Sequence, residues 1–140
     1  MNTYEINSRF KPEWITNEVD DDCMNLCEDL AMSMVESNIS SSFLRNIFGE
    51  LRRIEAGGFE KHRADFVLLR PKLAYTCGRA SSRNNKAKDD LQALQELYKK
   101  SAQLVSNAQG FKNIVNIMEA IVAFHTEVIF TFHKAHGGRD

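Results

Sequence analysis

Phe66-Val-Leu-Leu-Arg-Pro-Lys-Leu-Ala-Tyr-Thr-Cys-Gly-Arg79 is an apolar run that carries three cations, a proline in its middle and a glycine near its end. Its apolar residues at positions 66, 69, 73 and 77 have the spacing of one helix face, so this face is predicted to pack against a core. Lys72 and Arg79 are seven residues apart and therefore project in nearly the same direction. Pro71 is expected to kink the helix or to begin its second half, and Gly78 is predicted to end it before a loop at 80–85. The stretch therefore predicts a kinked helix that buries one face and presents cations on another.

The composition and periodicity of the whole chain are those of a helical globular domain. Its 140 residues are 43% hydrophobic and include only two prolines, which favours one soluble domain with a sizeable core. Helix-favouring residues dominate and alternating β-branched runs are missing, so an all-α fold is predicted. The apolar spacing predicts a single compact bundle of about five helices, at 17–37, 41–56, 60–78, 86–107 and 111–135.

Capping and stop residues set the expected boundaries of this bundle. Thr16 or Asn17 is expected to cap the first helix, Ser40 is expected to cap the second, and Gly57-Gly58 is expected to stop the second. Residues 1–16 are predicted to form an N-terminal arm that is ordered only by docking, and residues 17–140 the helical bundle domain.

Targeting signals and cysteine usage predict a cytoplasmic protein without a membrane contact. No apolar run is expected to reach the roughly 20 residues that a membrane span needs. The first residues lack a charged segment followed by a hydrophobic one, so no secretory signal is expected. Three cysteines form no scaffold pattern, which fits reduced thiols in a cytoplasm.

The net charge of −1 conceals a strong asymmetry along the chain. Residues 1–39 hold nine acids and two bases, residues 40–88 hold eleven bases and four acids, and residues 89–140 hold six acids and five bases. This segregation suggests a basic surface with a polyanionic partner, or contact between the basic and acidic surfaces of neighbouring copies. The alternative is that folding mixes the charges again.

Two groups of basic residues form the candidate binding surface. On the second helix, Arg45, Gly49, Arg52 and Arg53 form a polar stripe that faces away from the apolar side. A guanidinium group grips phosphate at two points, and Gly49 would let a sugar-phosphate chain approach closely. The alternative is a solvated helix face.

The second basic group contains Lys72, Arg79, Arg83 and Lys86, and here too the alternative is a solvated surface. Neither group shows the aromatic interleaving of a base-stacking platform. The contacts are therefore expected to be with phosphates and 2′-hydroxyls, with little preference for sequence.

The sequence contains poor signals for catalysis, so the chain is not expected to be an enzyme and no cofactor is predicted. Cys23, Cys27 and Cys77 fall on core faces. His133 and His136 could join a metal site with His125 or Glu127 but lack the rest of a ligand set, so no metal site is predicted. There is also no phosphate-binding glycine loop.

Three blocks of sequence carry a resemblance to a known family. Ser40-Ser-Ser-Phe-Leu-Arg-Asn-Ile-Phe-Gly-Glu-Leu-Arg-Arg-Ile-Glu55 resembles its serine or threonine cap followed by a basic amphipathic helix. Leu68-Leu-Arg-Pro-Lys-Leu-Ala-Tyr-Thr-Cys-Gly-Arg79 is similar to a stretch in that family that ends in glycine-arginine. Phe111-Lys-Asn-Ile-Val-Asn-Ile-Met-Glu-Ala-Ile-Val-Ala-Phe-His125 resembles its final helix. Over residues 40–130 the chain thus resembles the small subunit of the type III-A CRISPR (Csm) effector complex.

This resemblance implies a small, helical, non-catalytic subunit that acts in antiviral defence. Its copies are expected to stack head to tail and to line the channel that holds the guide RNA and the target RNA, with the other Csm subunits as further partners. The basic positions that match the family are Arg45, Arg52, Arg53, Lys72 and Arg79. Arg83 and Lys86 lie outside the matching blocks and rest on local charge alone.

Two functions from other classes compete with this interpretation. The first is a helical adaptor that binds a protein partner through its apolar last helix and makes no direct RNA contact. The second and more distant one is a metal-dependent hydrolase.

Overall fold

A computed structural model describes the backbone of residues 1–135 and the side chains of residues 1–131. Within this part of the chain the regular structure is helical, without strands, which confirms the all-α prediction. There are seven α-helices rather than about five: α1 Thr3–Arg9, α2 Glu13–Thr16, α3 Asp21–Glu36, α4 Ser41–Gly57, α5 Arg63–Arg83, α6 Lys88–Ala102 and α7 Ala108–Ala135. Short 3₁₀ turns at Glu60–His62 and Asn85–Ala87 precede α5 and α6.

The two additional helices, α1 and α2, account for the difference in helix number. Asn2 caps α1 by accepting a hydrogen bond from the backbone of Glu5, and the helix packs on α6 through the buried side chain of Ile6. The single turn α2 packs on α7 and buries Trp14 and Ile15. Such short helices are marginal in isolation, so the burial of these large side chains is what holds them.

The central pair of helices is α3 and α7, which pack on each other most extensively among the described elements. The face of α3 that the periodicity predicts as core is fully buried, from Cys23 to Met34. Asp20 caps this helix by accepting a hydrogen bond from Cys23 N at 2.9 Å, so the expectation of a cap at Thr16 or Asn17 is wrong. The error arose because α2 ends where the longer helix was expected to begin.

Helix α4 begins and ends where the capping pattern predicts. Ser40 Oγ accepts a 3.1 Å hydrogen bond from Phe43 N, and the helix ends at Gly57. Gly58 then adopts a φ of +95°, a conformation that favours glycine. The face of α4 that carries Leu44, Leu51 and neighbouring apolar residues packs on α7.

Helix α5 continues past the end that its sequence predicts at Gly78. It runs unbroken through Pro71 and Gly78 to Arg83, so the prediction that Gly78 ends it is wrong. The helix continues because Ala80 packs against the core and Asn84, just beyond its end, donates a 2.9 Å hydrogen bond from Nδ2 to the carbonyl oxygen of Ser37. Its predicted apolar face, at 66, 69, 73 and 77, is buried.

Helix α7 is apolar enough to raise the question of a membrane. Its segment Ala108–Thr131 has a mean hydropathy of 1.5 and passes a membrane-span test by length and composition, which the sequence analysis did not anticipate. The core helix of a soluble protein passes the same test. In this chain Ile114, Ile117 and Ile121 are buried against the rest of the bundle, while 33% of the most apolar part of the segment is buried.

Candidate nucleic-acid interface

All seven candidate basic residues are exposed on the surface of α4, α5 and the turn that follows. The structure does not bring them to one face but divides them between the two sides of α4. Arg45 and Arg52 lie on the side of α4 that faces α7, because seven residues separate them and Arg52 reaches Glu119 on that helix. The other five basic residues lie on the side of α4 that faces α5. They are Arg53, Lys72, Arg79, Arg83 and Lys86.

The two adjacent arginines of α4 are held by carboxylates. Arg52 forms an ion pair with Glu119 and lies over the ring of Phe48, with 5.0 Å between its guanidinium carbon and the ring centroid. Arg53 pairs with Glu50 at 2.8 Å, and this hydrogen bond raises the pKa of its guanidinium. Both pairs are solvent-exposed, where an ion pair contributes only about 0–1 kcal/mol, so either arginine can exchange its carboxylate for a phosphate at little cost.

Arg53 and Lys72 lie near a shared acidic residue. The hydrogen bond between His62 and Asp65 lowers the pKa of the Asp65 carboxyl, and the charges of Arg53 and Lys72 add smaller contributions. Both cations therefore lie within electrostatic range of Asp65, on the α5 side of α4.

Three cations of α5 form a row that we call the α5 ridge: Lys72, Arg79 and Arg83. At about 100° per residue they project within a narrow sector of the helix. Within residues 1–131 none of the three forms an ion pair, so their charge is available to a ligand. Near the end of α5, Arg83 lines a cavity of about 230 Å³ whose other wall includes Ser40, the cap of α4. Lys86 follows in the 3₁₀ turn, exposed.

Beside the α5 ridge, a groove between α4 and α5 encloses about 280 Å³ and is called here the α4–α5 groove. Its surface is mostly apolar, contributed by Ile47, Leu51, Leu69 and Leu73. Its polar lining residues are Asn46, Glu50, Lys72, Tyr75, Thr76 and Tyr98.

Tyr75 lines the groove but is not among the binding residues that the sequence predicts. Tyr75 lies next to the cations and is 68% exposed, so an aromatic ring does accompany this basic surface. Its position one turn after Lys72 was a usable signal in the sequence, but one tyrosine does not make the alternating pattern of a stacking platform.

Tyr98 of α6 lines the groove with a buried hydroxyl group. The residue is 2% exposed, and its hydroxyl oxygen has no hydrogen-bond partner among the described residues. Burial raises the pKa of this phenol, so it is protonated at neutral pH and can donate a hydrogen bond. Tyr98 also lines a second cavity of about 290 Å³ between α5 and α6, together with Arg70 and Gln92.

Cys27, Cys77 and His125, which the sequence offered for catalysis or metal binding, are buried in the bundle. Hydrogen bonding to Cys23 and burial raise the pKa of Cys27, and burial raises that of Cys77 to about 12, so neither thiol forms a thiolate readily. His125 is buried between Ile39 and Ser41. Within the described residues no cluster of potential metal ligands occurs, and the side chains of His133 and His136 lie outside them.

Comparison with known proteins identifies a family for nearly the whole chain. The family model Csm2 Type III-A matches residues 18–139, which include α3 to α7 and both groups of basic residues. Neither the curated proteins nor the solved structures contain a significant match to the chain.

Proposed function

The chain belongs to the Csm2 Type III-A family and is a small subunit of the type III-A CRISPR effector complex, and we propose that it contacts the backbone of guide and target RNA without catalysing a reaction. In this proposal the α5 ridge is the principal contact, joined by Arg53 and Lys86. Arg45 and Arg52 form a second contact on the α7 side of α4.

The observation that supports this function best is the row of three exposed cations that form no ion pair with any described side chain. In a protein with a net charge of −1, an ordinary solvated surface is expected to carry acidic residues among its basic ones. Here the acids of α5 are confined to its first turn, where Asp65 pairs with His62. The ridge is therefore a concentrated positive surface, as a polyanion requires.

We further propose that copies of the chain stack head to tail through an acidic face. The outer face of α3 carries Asp21, Glu28 and Glu36, none of which forms an ion pair within the described residues, around the exposed side chain of Met32. A contact between this face and the basic surface of a second copy joins two different patches, so it continues into a row. Several stacked copies would bind one RNA far more tightly than a single copy.

The rival function, a protein adaptor without RNA contact, draws on the C-terminal half of α7. There Phe130 is 65% exposed and Val128 is half-buried, so an apolar partner could bind. This surface and the α5 ridge are on different helices, and a subunit of an RNA-guided complex can use both.

The complex is a soluble effector, and we place the chain in the cytoplasm.

RNA binding tests the proposal directly. We would measure the affinity of the isolated chain, and of the complex reconstituted with the other subunits, for single-stranded and duplex RNA at several salt concentrations. The triple variant Lys72→Ala/Arg79→Ala/Arg83→Ala should lose at least about tenfold in affinity for single-stranded RNA, and its log–log salt slope should fall by about 2 because three phosphate contacts disappear.

A matched control removes the same charge elsewhere. Lys11→Ala/Lys99→Ala/Lys112→Ala changes three exposed lysines on other elements and should leave the affinity and the salt slope nearly unchanged. Equal affinities of the ridge variant and the native chain, in isolation and in the complex, would rule out the α5 ridge as the RNA contact. RNA binding absent in both forms would favour the adaptor.

A further inference from the structure

The α4–α5 groove has the chemistry of a pocket for a planar, partly polar ring. Leu69 and Leu73 supply an apolar surface, and Tyr75 supplies an exposed aromatic ring. Asn46 offers both a donor and an acceptor in one amide group, as base edges require. The volume of about 280 Å³ accommodates one nucleobase with room for water.

Tyr98, which lines the groove and also the second cavity, has a buried hydroxyl without a hydrogen-bond partner among the described residues. A buried hydroxyl without a hydrogen bond is unfavourable, and most such groups in proteins are satisfied by protein atoms or ordered water, so a ligand that offers an acceptor to this hydroxyl would gain affinity.

The cations beside the groove indicate that the ring belongs to a ligand with phosphate groups. Lys72 lines the groove itself, and Arg79 lies two turns further along the same face of α5. Adjacent phosphates in a nucleic acid would contact these cations while the base between them turns inward. The second cavity lined by Tyr98 lies between α5 and α6 and is lined by Arg70 and Lys99, but by none of the cations of the α5 ridge.

We propose that the α4–α5 groove binds one unpaired base of the RNA, with its ring on the apolar lining beside Tyr75 and its polar edge toward Asn46 and Tyr98. This inference rests on the proposed function, since it adds a base contact to the backbone contacts of the α5 ridge. It makes the subunit a reader of unpaired bases as well as of phosphates.

Abasic RNA tests this proposal. The native chain would be titrated with a mixed-sequence single-stranded RNA and with an oligomer of the same length that has the ribose-phosphate backbone but no bases. The two ligands carry the same charge, so any difference in affinity comes from the bases. We expect the normal RNA to bind about tenfold more tightly, the magnitude typical of one stacked base.

Two variants locate the difference in the groove. Tyr98→Phe keeps the ring and removes the hydroxyl, so it should fold normally and lose about fivefold in affinity for normal RNA, the size of one hydrogen bond. Asn46→Ala should do the same, and neither variant should change the affinity for abasic RNA. The matched control is Gln92→Ala, which removes an amide from the second cavity and should change neither affinity.

The outcomes separate this inference from the proposed function. If normal and abasic RNA bind equally and both depend on the α5 ridge, the base pocket is refuted and the backbone contact remains. If neither the native chain nor the reconstituted complex binds either RNA, the proposed function fails and the base pocket fails with it. If the groove variants bind RNA normally but no longer assemble with the other subunits, the groove binds protein and the proposal is wrong.

Discussion

The imidazole Nε2 of His125 lies 2.7 Å from the carbonyl oxygen of Ile39 and joins the middle of α7 to the connection between α3 and α4. A carbonyl oxygen only accepts, so Nε2 carries the proton in this hydrogen bond. The Oγ of Ser41, in the first turn of α4, lies 3.4 Å from the other ring nitrogen. His125 therefore positions the start of the helix that carries the first group of arginines.

The burial of His125 makes the stability of the bundle depend on pH. Burial lowers the pKa of His125 below its usual value, with a smaller opposing contribution from the hydrogen bond to Ile39. The unfolded chain, in which the histidine pKa is about 6.5, then binds more protons at mildly acidic pH. Stability should be fully present above about pH 6.5 and should decrease as the pH falls toward the folded-state pKa.

Urea unfolding of the native chain between neutral and mildly acidic pH measures this dependence. His125→Gln should be less stable at neutral pH and should lose much of the decrease on acidification. His62→Gln is the matched control, since His62 is half-exposed and pairs with Asp65 at the surface. An identical pH dependence in native chain and His125→Gln would contradict the assignment.

Among the acidic residues, Asp90 is expected to cause the largest loss of stability when it is replaced. It is 4% exposed and accepts hydrogen bonds from Ser33 Oγ at 2.6 Å and from Ser37 Oγ at 2.7 Å, and the nitrogen of Met1 lies 2.7 Å away. Asp90→Ala leaves these donors buried without an acceptor and should lower the free energy of unfolding by about 3 kcal/mol. Its neighbour Asp89 is exposed, and Asp89→Ala should cost about 0.5 kcal/mol through the helix dipole. Chemical denaturation of both variants decides this, and equal losses would show that the buried network is unimportant.

Gly78 should be a site of stabilisation rather than a helix stop. It lies inside α5, and a Cβ atom built on it meets nothing within 4 Å. Gly78→Ala should therefore raise the free energy of unfolding by about 0.5–1 kcal/mol, because alanine loses less backbone entropy in a helix. Gly58→Ala should have the opposite sign, since Gly58 has a φ of +95°. If thermal denaturation shows that Gly78→Ala is destabilising, the helix does end near this residue, as its sequence suggested.

The stacking proposal predicts a loss of self-association when the outer face of α3 is reversed in charge. Glu28→Lys/Glu36→Lys should shift the chain toward the monomer in sedimentation velocity, and higher salt should weaken association of the native chain in the same way. These residues are a cleaner test than Asp20 and Asp22, because Asp20 caps α3 and Asp22 forms an ion pair with Lys11. The control is Glu13→Lys/Glu96→Lys, which reverses two charges on helices other than α3. Unchanged association in the α3 variant would exclude the face from the contact.

The long amphipathic helices could be predicted from the sequence, while the short ones could not. The spacing of Leu26 and Leu30 in α3, or of Leu51 and Ile54 in α4, identifies a buried face whatever surrounds it. Helices α1 and α2 have too few residues for a periodic signal and exist because Ile6 and Trp14 are buried by other helices. The continuation of α5 beyond Gly78 likewise depends on contacts with Ser37 and the core, which are distant in sequence.

The candidate site shows the same division between local pattern and tertiary structure. Helical periodicity is a property of neighbouring residues, so the all-α class and the position of the basic residues outside the apolar faces follow from the sequence. The tertiary structure settles which cations are ion-paired, since the partner Glu119 is far from Arg52 along the chain. It alone brought Tyr98 of α6 to the groove between α4 and α5, because a pocket is formed by the packing of separate helices and no one of them contains it.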